Sequence, residues 1–255
     1  MKALILGQNN KMPCSEDCML AYCGFESMYE DCTTIETSGH WLLKSAQEFR
    51  QYDVCVGDVR MSHLAIFKMN INFKNIDCYP HQLASWLKRD IHISTLKEVM
   101  KTDFNKRAFI KPVKPKKTEP FFSSLTKNND NYEFYLREII GLDDNEEMYV
   151  SEIVKFASEW RVYVYDFEIQ QICFYKGDPK IFPEIIEIKD MIKEYKEAPC
   201  CYALDVGVLF DHSEFFNHQM TALVEVNDFY ALDNYGLNSE KYAFLLHERW
   251  KQIKG

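Results

Sequence analysis

No apolar run in this chain approaches the roughly 18 residues that a helix needs to cross a bilayer, so no membrane-spanning segment is expected. The opening KALIL after Met1 is too short for the core of a secretory leader and runs into polar GQNNK, so it reads as a first strand. Basic residues are outnumbered: 30 Lys and Arg against 39 Asp and Glu give a formal net charge of −9. That balance argues against broad binding to nucleic-acid phosphates, which rests on many cations, and leaves room only for a local basic groove. The seven histidines form no H-x3-H or HExxH pattern, so no zinc site or catalytic histidine is read. Nine cysteines are present, but Cys14, Cys18, Cys23 and Cys32 lack C-x2-C knuckles and read as free thiols. Without a secretion signal they point to a reducing compartment, and the expected location is cytoplasmic. No glycine-rich phosphate loop occurs; the loop-like stretch PKKTEPFFSS contains no glycine.

What is there supports a sizeable core. Hydrophobic residues make up 47% of the 255, and aromatics 15%, enough for one large domain or two to three small lobes. The opening third alternates strand and helix, as a small α/β lobe does: YDVCVGDV is a strand ending at Gly57, RMSHLAIFKM an amphipathic helix, and CYPHQLASWLKRDIHISTLKEVMKT a proline turn followed by helix in one piece or two. RAFIKPVKP reads as a short strand cut by Pro112 and Pro115, and NYEFYLREIIG as a helix with Gly141 near its end. The stretch EEMYVSEIVKFASEWRVYVYDFEIQQICFYKGDP is rich in β-branched and aromatic residues and reads as strands joined by short turns. EIIEIKDMIKEYKEA is an amphipathic helix. Two further strands, CYALDVGVLF and MTALVEVNDFYAL, flank the polar loop DHSEFFNHQ, and SEKYAFLLHERWKQI closes the chain as a helix with Ser239 as N-cap.

The second of those late strands carries an oddity. Glu225 and Asn227 alternate with apolar residues, so they share one face about 7 Å apart. Unpaired in a core, such groups would cost several kcal/mol; an exposed strand edge is the plain alternative. Asp205 lies in the neighbouring apolar strand, and antiparallel pairing would bring Asp205, Glu225 and Asn227 to one end of a sheet. Two carboxylates and an amide oxygen suit Mg²⁺. Asp228 and Asp233 follow and also fit turn positions. Cations stand where phosphates would need them. Lys111 interrupts the apolar strand FIKP; Lys114, Lys116 and Lys117 follow in a loop, where solvation as a group is the alternative. Arg161 lies in SEWRVYVYD, placed either to clamp phosphate oxygens or to pair with Glu159 or Asp166.

In these segments the sequence resembles the ATP-grasp superfamily, specifically its small bacterial and phage clade. VCVGDV with the helix after it and YPHQLASWLKRDIHISTLKEV resemble the clade's N-terminal lobe. AFIKPVKPKK resembles its lysine strand, VSEIVKFASEWRVYVYDFEIQQICFYKGD its hinge and arginine strands, and ALDVGVL with TALVEVNDFYALDNYG its metal-binding strands. The resemblance implies an α/β (α+β) ATP-grasp fold, with an N-terminal lobe over residues 1–105 and an ATP-grasp domain over 106–255 whose two subdomains grip ATP. It implies that Lys111 contacts the α/β-phosphates and that a lysine of 114–117, Lys117 by preference, closes over them. The backbone of Glu152, Ile153 and Val154 would meet the adenine edge, and Glu159 the ribose. Arg161 would hold the transferring phosphoryl group, making Arg161 and Lys117 the catalytic candidates. Asp205, Glu225 and Asn227 would carry Mg²⁺.

The implied activity is ligation of a carboxylate donor to an amine acceptor through an acyl phosphate, with release of ADP and phosphate. The substrate would be a small molecule or peptide. The alternative is a non-catalytic nucleotide-binding assembly chaperone acting on a protein partner. Tyr79, Trp86 and Arg89 are the expected place for acceptor contacts, with packing as the other role of the two aromatics.

Overall fold

A computed structural model describes residues 1–102, 107–114, 118–123, 130–211 and 218–255. The chain divides into two compact units: Met1–Ala84 together with Ala157–Gly255, and Ser85–Phe156. The larger unit opens on β1 (Ala3–Asn9), whose Ala3, Leu4 and Ile5 are fully buried, as in a central strand covered on both faces. The short β2 (Met12–Pro13) returns antiparallel against its end. Ser15 then caps α1 (Glu16–Met28) by accepting from the Cys18 N–H, with Glu16 and Asp17 in the first turn where the helix dipole favours acids. β3 (Thr33–Thr37) and β4 (Val54–Val56) join β1 in parallel. Two short helices, α2 (Ser38–Leu43) and α3 (Ala46–Phe49), connect them, and α4 (Val59–Lys68) follows with Asp58 as its cap.

In the Ser85–Phe156 unit, β5 (Ile91–Thr95) leads into α5 (Leu96–Lys101), then β6 (Ala108–Pro112) and β7 (Phe121–Phe122). A helix, α6 (Asp130–Phe134), continues as a π-helical turn over Tyr135–Ile139, and β8 (Glu147–Glu152) completes the unit. The sheet runs β5-β8-β6-β7, with every neighbour antiparallel. Ile110, Met148 and Val150 from its strands pack on Leu96 and Val99 of α5 and on Leu136. Gly141, at φ +74, follows the turn in the left-handed conformation expected past a helix end. The expectation of helix across 91–95 is corrected: IHIST is a strand. Its Ile93 is 54% exposed, so burial does not mark the segment; its backbone ladder with β8 does. A capping box between Thr95 and Glu98 then starts the helix only at Leu96.

The chain returns to the larger unit with β9 (Ser158–Tyr165) and β10 (Glu168–Gly177), joined by Asp166 and Phe167 at φ 46 and 64. Two positive-φ residues give the turn whose twist matches a two-residue hairpin. α7 (Ile185–Glu194), β11 (Cys201–Asp211), β12 (His218–Asp228) and α8 (Ser239–Lys254) complete the fold. The second sheet of this unit has the order β10-β9-β11-β12 and is antiparallel throughout. On one face, Tyr163, Cys201 and Ala203 join the core built by β1, α1 and α8. The same face carries Arg161 and Asp205 two residues further along. On the other face Trp160 meets Phe182 edge-on at 4.7 Å, and Tyr195 meets Tyr202 at 5.4 Å. The close approach of α1 to α8 requires Gly24, where a Cβ would stand 2.0 Å from the Ser239 carbonyl oxygen. No helix among the described residues is long and apolar enough to cross a membrane.

The cap of α8 is Asn238 rather than Ser239; its side chain accepts from the Glu240 and Lys241 N–H groups. Both residue types favour that position, and the helix begins one residue earlier than expected. Asn238→Ala should destabilise the protein by about 1 kcal/mol. Thermal denaturation should show the melting point lowered by a few degrees; an unchanged melting point would mean that the cap contributes nothing.

Candidate active site

Arg161 on β9, Asp205 on β11 and Glu225 on β12 stand directly opposite one another across three strands. Residues in register emerge on the same face, and Asn227, two positions beyond Glu225, joins them. The pairing of β11 with β12 slips by one residue between Glu225 and Leu223, a bulge that bends the strand next to the cluster. Arg161 and Asp205 are 5% and 3% exposed. The guanidinium grips the carboxylate with both arms: Nε donates to Oδ1 at 2.7 Å and Nη2 to Oδ2 at 2.6 Å. Asn227 Nδ2 donates to Asp205 Oδ2 at 3.0 Å and to Glu225 Oε1 at 3.1 Å. The partner of Arg161 is therefore neither Glu159 nor Asp166 but Asp205, which is remote in sequence and adjacent across the sheet.

Burial pushes the Asp205 carboxyl up to about 6; the hydrogen bonds and charge of Arg161 pull it down, and Glu225 and Glu159 push it further up. Burial also works against the charge on Arg161, but the hydrogen bonds and charge of Asp205 outweigh it and hold the guanidinium protonated. Among the described residues no group of three or more His, Cys, Asp or Glu is placed to hold a metal. The cluster here is two carboxylates and an amide, hard donors of the kind Mg²⁺ takes. Crowded carboxylates beside Asp205 would be relieved by a divalent cation, and rotating the Asn227 amide would present its oxygen. The donor set fits that ion.

A loop after β12 closes over the guanidinium. Arg161 Nη1 donates to the Asp233 carbonyl at 2.9 Å, and the Tyr235 ring lies 4.4 Å from Arg161 Cζ. Tyr235 stacks on Tyr175 with centroids 4.9 Å apart. The Tyr175 hydroxyl donates to Glu159 Oε2 at 3.1 Å, and Lys176 Nζ lies 2.7 Å from Glu159 Oε1. Glu159, expected at a ribose, is thus engaged by Tyr175 and Lys176 in this arrangement. Asp228 belongs elsewhere: it caps the short turn Phe229–Ala231 and accepts from Arg249 with both oxygens at 2.7 Å. The sequence reading missed Tyr175, Lys176, Tyr235 and the Asp233 carbonyl. The only signal for Tyr235 is an aromatic before a glycine in the DNYG that follows the oxygen-bearing strand.

In the Ser85–Phe156 unit, Lys111 sits on β6 opposite Tyr149 and is partly buried. Lys114 lies 3.9 Å from Glu146 and is 70% exposed; Lys116 and Lys117 lie outside the described residues. β8 ends at Glu152, whose N–H donates to the Asp90 carbonyl and whose carbonyl accepts from Ser151 Oγ, both at 2.9 Å. Residues 153–156, with Ile153 and Val154, form neither helix nor strand. Arg89 donates to Ser151 Oγ and to the Leu87 carbonyl, and Trp86 stacks under Lys88. Tyr79, in the larger unit, is buried.

The model of the family described as "ATP-grasp domain, R2K clade family 2" matches residues 86–245. No curated protein matches the chain. Among solved structures, a D-alanine–D-alanine ligase from Bacillus anthracis complexed with ATP is similar at a TM-score of 0.51 and 12% identity, covering 100% of this chain and 99% of that one. A RimK domain ATP-grasp protein from Sphaerobacter thermophilus DSM 20745 gives 0.53 and 12%, covering 98% of each chain. N5-carboxyaminoimidazole synthetase from Staphylococcus aureus complexed with ADP gives 0.54 and 10%, covering 97% of this chain and 77% of that one. At these identities the likeness is one of fold.

Proposed function

Because this chain belongs to the ATP-grasp R2K clade, family 2, we propose that it is an ATP-dependent ligase joining a carboxylate donor to an amine or similar acceptor. The observation that carries the reading is the row Arg161–Asp205–Glu225 with Asn227 beside it: charged and oxygen-bearing groups in register on one sheet face, inside the segment that matches the family. A donor carboxylate oxygen attacks the γ-phosphorus of ATP and ADP leaves, giving an acyl phosphate. The acceptor nitrogen then attacks the acyl carbon, phosphate leaves, and the nitrogen loses a proton. Both steps need reactants aligned and negative charge neutralised more than they need a protein nucleophile.

Lys111 supplies a point charge to the α/β-phosphates, and Arg161 a planar donor set to the terminal phosphate. Lys117 is the second lysine assigned to the phosphates. The backbone of Glu152 to Val154 is assigned to the adenine edge and Glu159 to the ribose, which requires Glu159 to exchange Tyr175 and Lys176 for hydroxyls. Asp205, Glu225 and Asn227 would hold Mg²⁺, which neutralises phosphate charge when bound. The substrate class is a small molecule or peptide, and the location cytoplasmic.

Lys111→Ala should weaken nucleotide binding, read by calorimetry, while the protein keeps a cooperative melt. An unfolded variant would assign Lys111 to structure instead. The reaction itself is tested by incubating the protein with ATP, Mg²⁺ and pools of amino acids, small peptides and carboxylates. Mass spectrometry should find a product whose mass is donor plus acceptor less water. Tight ATP binding with no condensation in any pool would favour a nucleotide-binding chaperone that acts on a protein partner.

A further inference from the structure

The guanidinium of Arg161 is tied to Asp205, yet Asp205 is also the carboxylate assigned to a cation. Were Asp205 to bind a cation as assigned, its carboxylate would no longer be held by Arg161 alone, and Arg161 would give up part of its charged partner. Among the described residues, the Asp233 carbonyl at 2.9 Å and the Tyr235 ring at 4.4 Å would still hold it. We propose that Tyr235 is a positioning residue that keeps the Arg161 guanidinium aimed at the terminal phosphate of ATP. This inference rests on the reading of Arg161 as a phosphate contact.

The loop that carries Tyr235 is fastened from four directions. The Tyr242 hydroxyl on α8 donates to the Leu232 carbonyl at 2.6 Å, and Asp17 on α1 accepts from the Asn234 N–H at 2.7 Å. The Tyr163 hydroxyl on β9 accepts from the Tyr235 N–H at 3.0 Å, and Gln171 on β10 donates to the Gly236 carbonyl at 2.9 Å. Gly236, at φ +86, makes the turn that a side chain would strain. Yet Tyr235 is 38% exposed, so burying its ring is not what this fastening accomplishes. It fixes the ring's plane over a guanidinium, and stacking on Tyr175 fixes it further. A cation over an aromatic face gains the most where water is excluded, as it is around Arg161. Because the ring face and not the hydroxyl makes the contact, phenylalanine should serve equally well.

The test compares binding of a non-hydrolysable ATP analogue and of ADP, each with Mg²⁺, by calorimetry. Tyr235→Leu and Tyr235→Met should each lose about tenfold in affinity for the analogue, the order expected for one cation–π contact, while ADP binding is unchanged. Tyr235→Phe should retain the wild-type preference for the triphosphate. Arg161→Lys should lose that preference, and Tyr235→Leu combined with Arg161→Lys should be no worse than Arg161→Lys alone. Two residue-235 variants are used so that one that fails to fold does not end the test; melting curves identify it. If Arg161→Lys leaves the preference intact, the reading of Arg161 falls, and the role of Tyr235 with it. If Arg161→Lys abolishes the preference while folded Leu and Met variants keep it, Tyr235 does not position Arg161 and the phosphate reading survives. Equal losses for ADP and the analogue would mark Tyr235 as a general structural residue and overturn the proposal.

Discussion

Asp205→Ala should destabilise the protein by about 3–5 kcal/mol, the range for removing one partner of a buried ion pair. At a few degrees per kcal/mol for a unit of this size, the melting point should fall by roughly 6–20 °C. The loss does not come from forfeited attraction alone. Burial works against the ionised Asp205 carboxyl and pushes it up to about 6, offsetting part of what it gains from Arg161. What matters is the guanidinium left behind, 5% exposed and, among the described residues, left with the Asp233 carbonyl and the Tyr235 ring face. Combining Asp205→Ala with Arg161→Met removes both charges and should recover most of the stability, because a well-packed apolar replacement of a buried pair is often close to neutral. A single variant as stable as the wild type would contradict the burial of the pair. A double variant no better than the single one would place the cost in packing rather than charge.

Glu225→Ala with Asn227→Ala should act differently. Both residues are only half-buried, and Asp205 keeps its two bonds from Arg161 without them, so the apo protein should melt near the wild-type temperature. The change appears with ligand. A ligand at a hundred times its dissociation constant stabilises the folded state by about 2.7 kcal/mol. Part of that gain with Mg·ATP should depend on the metal, seen as the difference between melts with Mg²⁺ and with a chelator. In the double variant that difference should vanish. If it persists undiminished, the cation is held elsewhere and the cluster is not the metal site.

The oxygen-bearing row was half legible in the sequence. Alternation in LVEVND places Glu225 and Asn227 on one face, and antiparallel return of the chain places Asp205 opposite Glu225. The partner of Arg161 was not legible. It depends on β9 lying between β10 and β11, an order that does not follow the chain, and on a register that pairs residues 161 and 205. Local reasoning instead offers Glu159 and Asp166 as partners. Lys111 stands out in the sequence because it interrupts the apolar run FIKP, and its strand neighbours Ile110 and Pro112 are buried in the fold. The strand Ile91–Thr95 did not stand out, since its backbone pairing defines it and its side chains are largely exposed or half-buried. Tyr235 was hidden for a similar reason: a loop aromatic gains meaning only once four distant elements fasten the loop above a guanidinium.

The central claim is attack at the γ-phosphorus, and the identity of the spent nucleotide tests it most directly. The protein is incubated with ATP, Mg²⁺ and the pools of amino acids, peptides and carboxylates, and the nucleotides are resolved by chromatography. ADP and phosphate should form, and only in the pool that contains donor and acceptor. AMP and pyrophosphate as the main products would mean attack at the α-phosphorus and would contradict the roles assigned to Arg161, Lys111 and the Asp205–Glu225–Asn227 cluster.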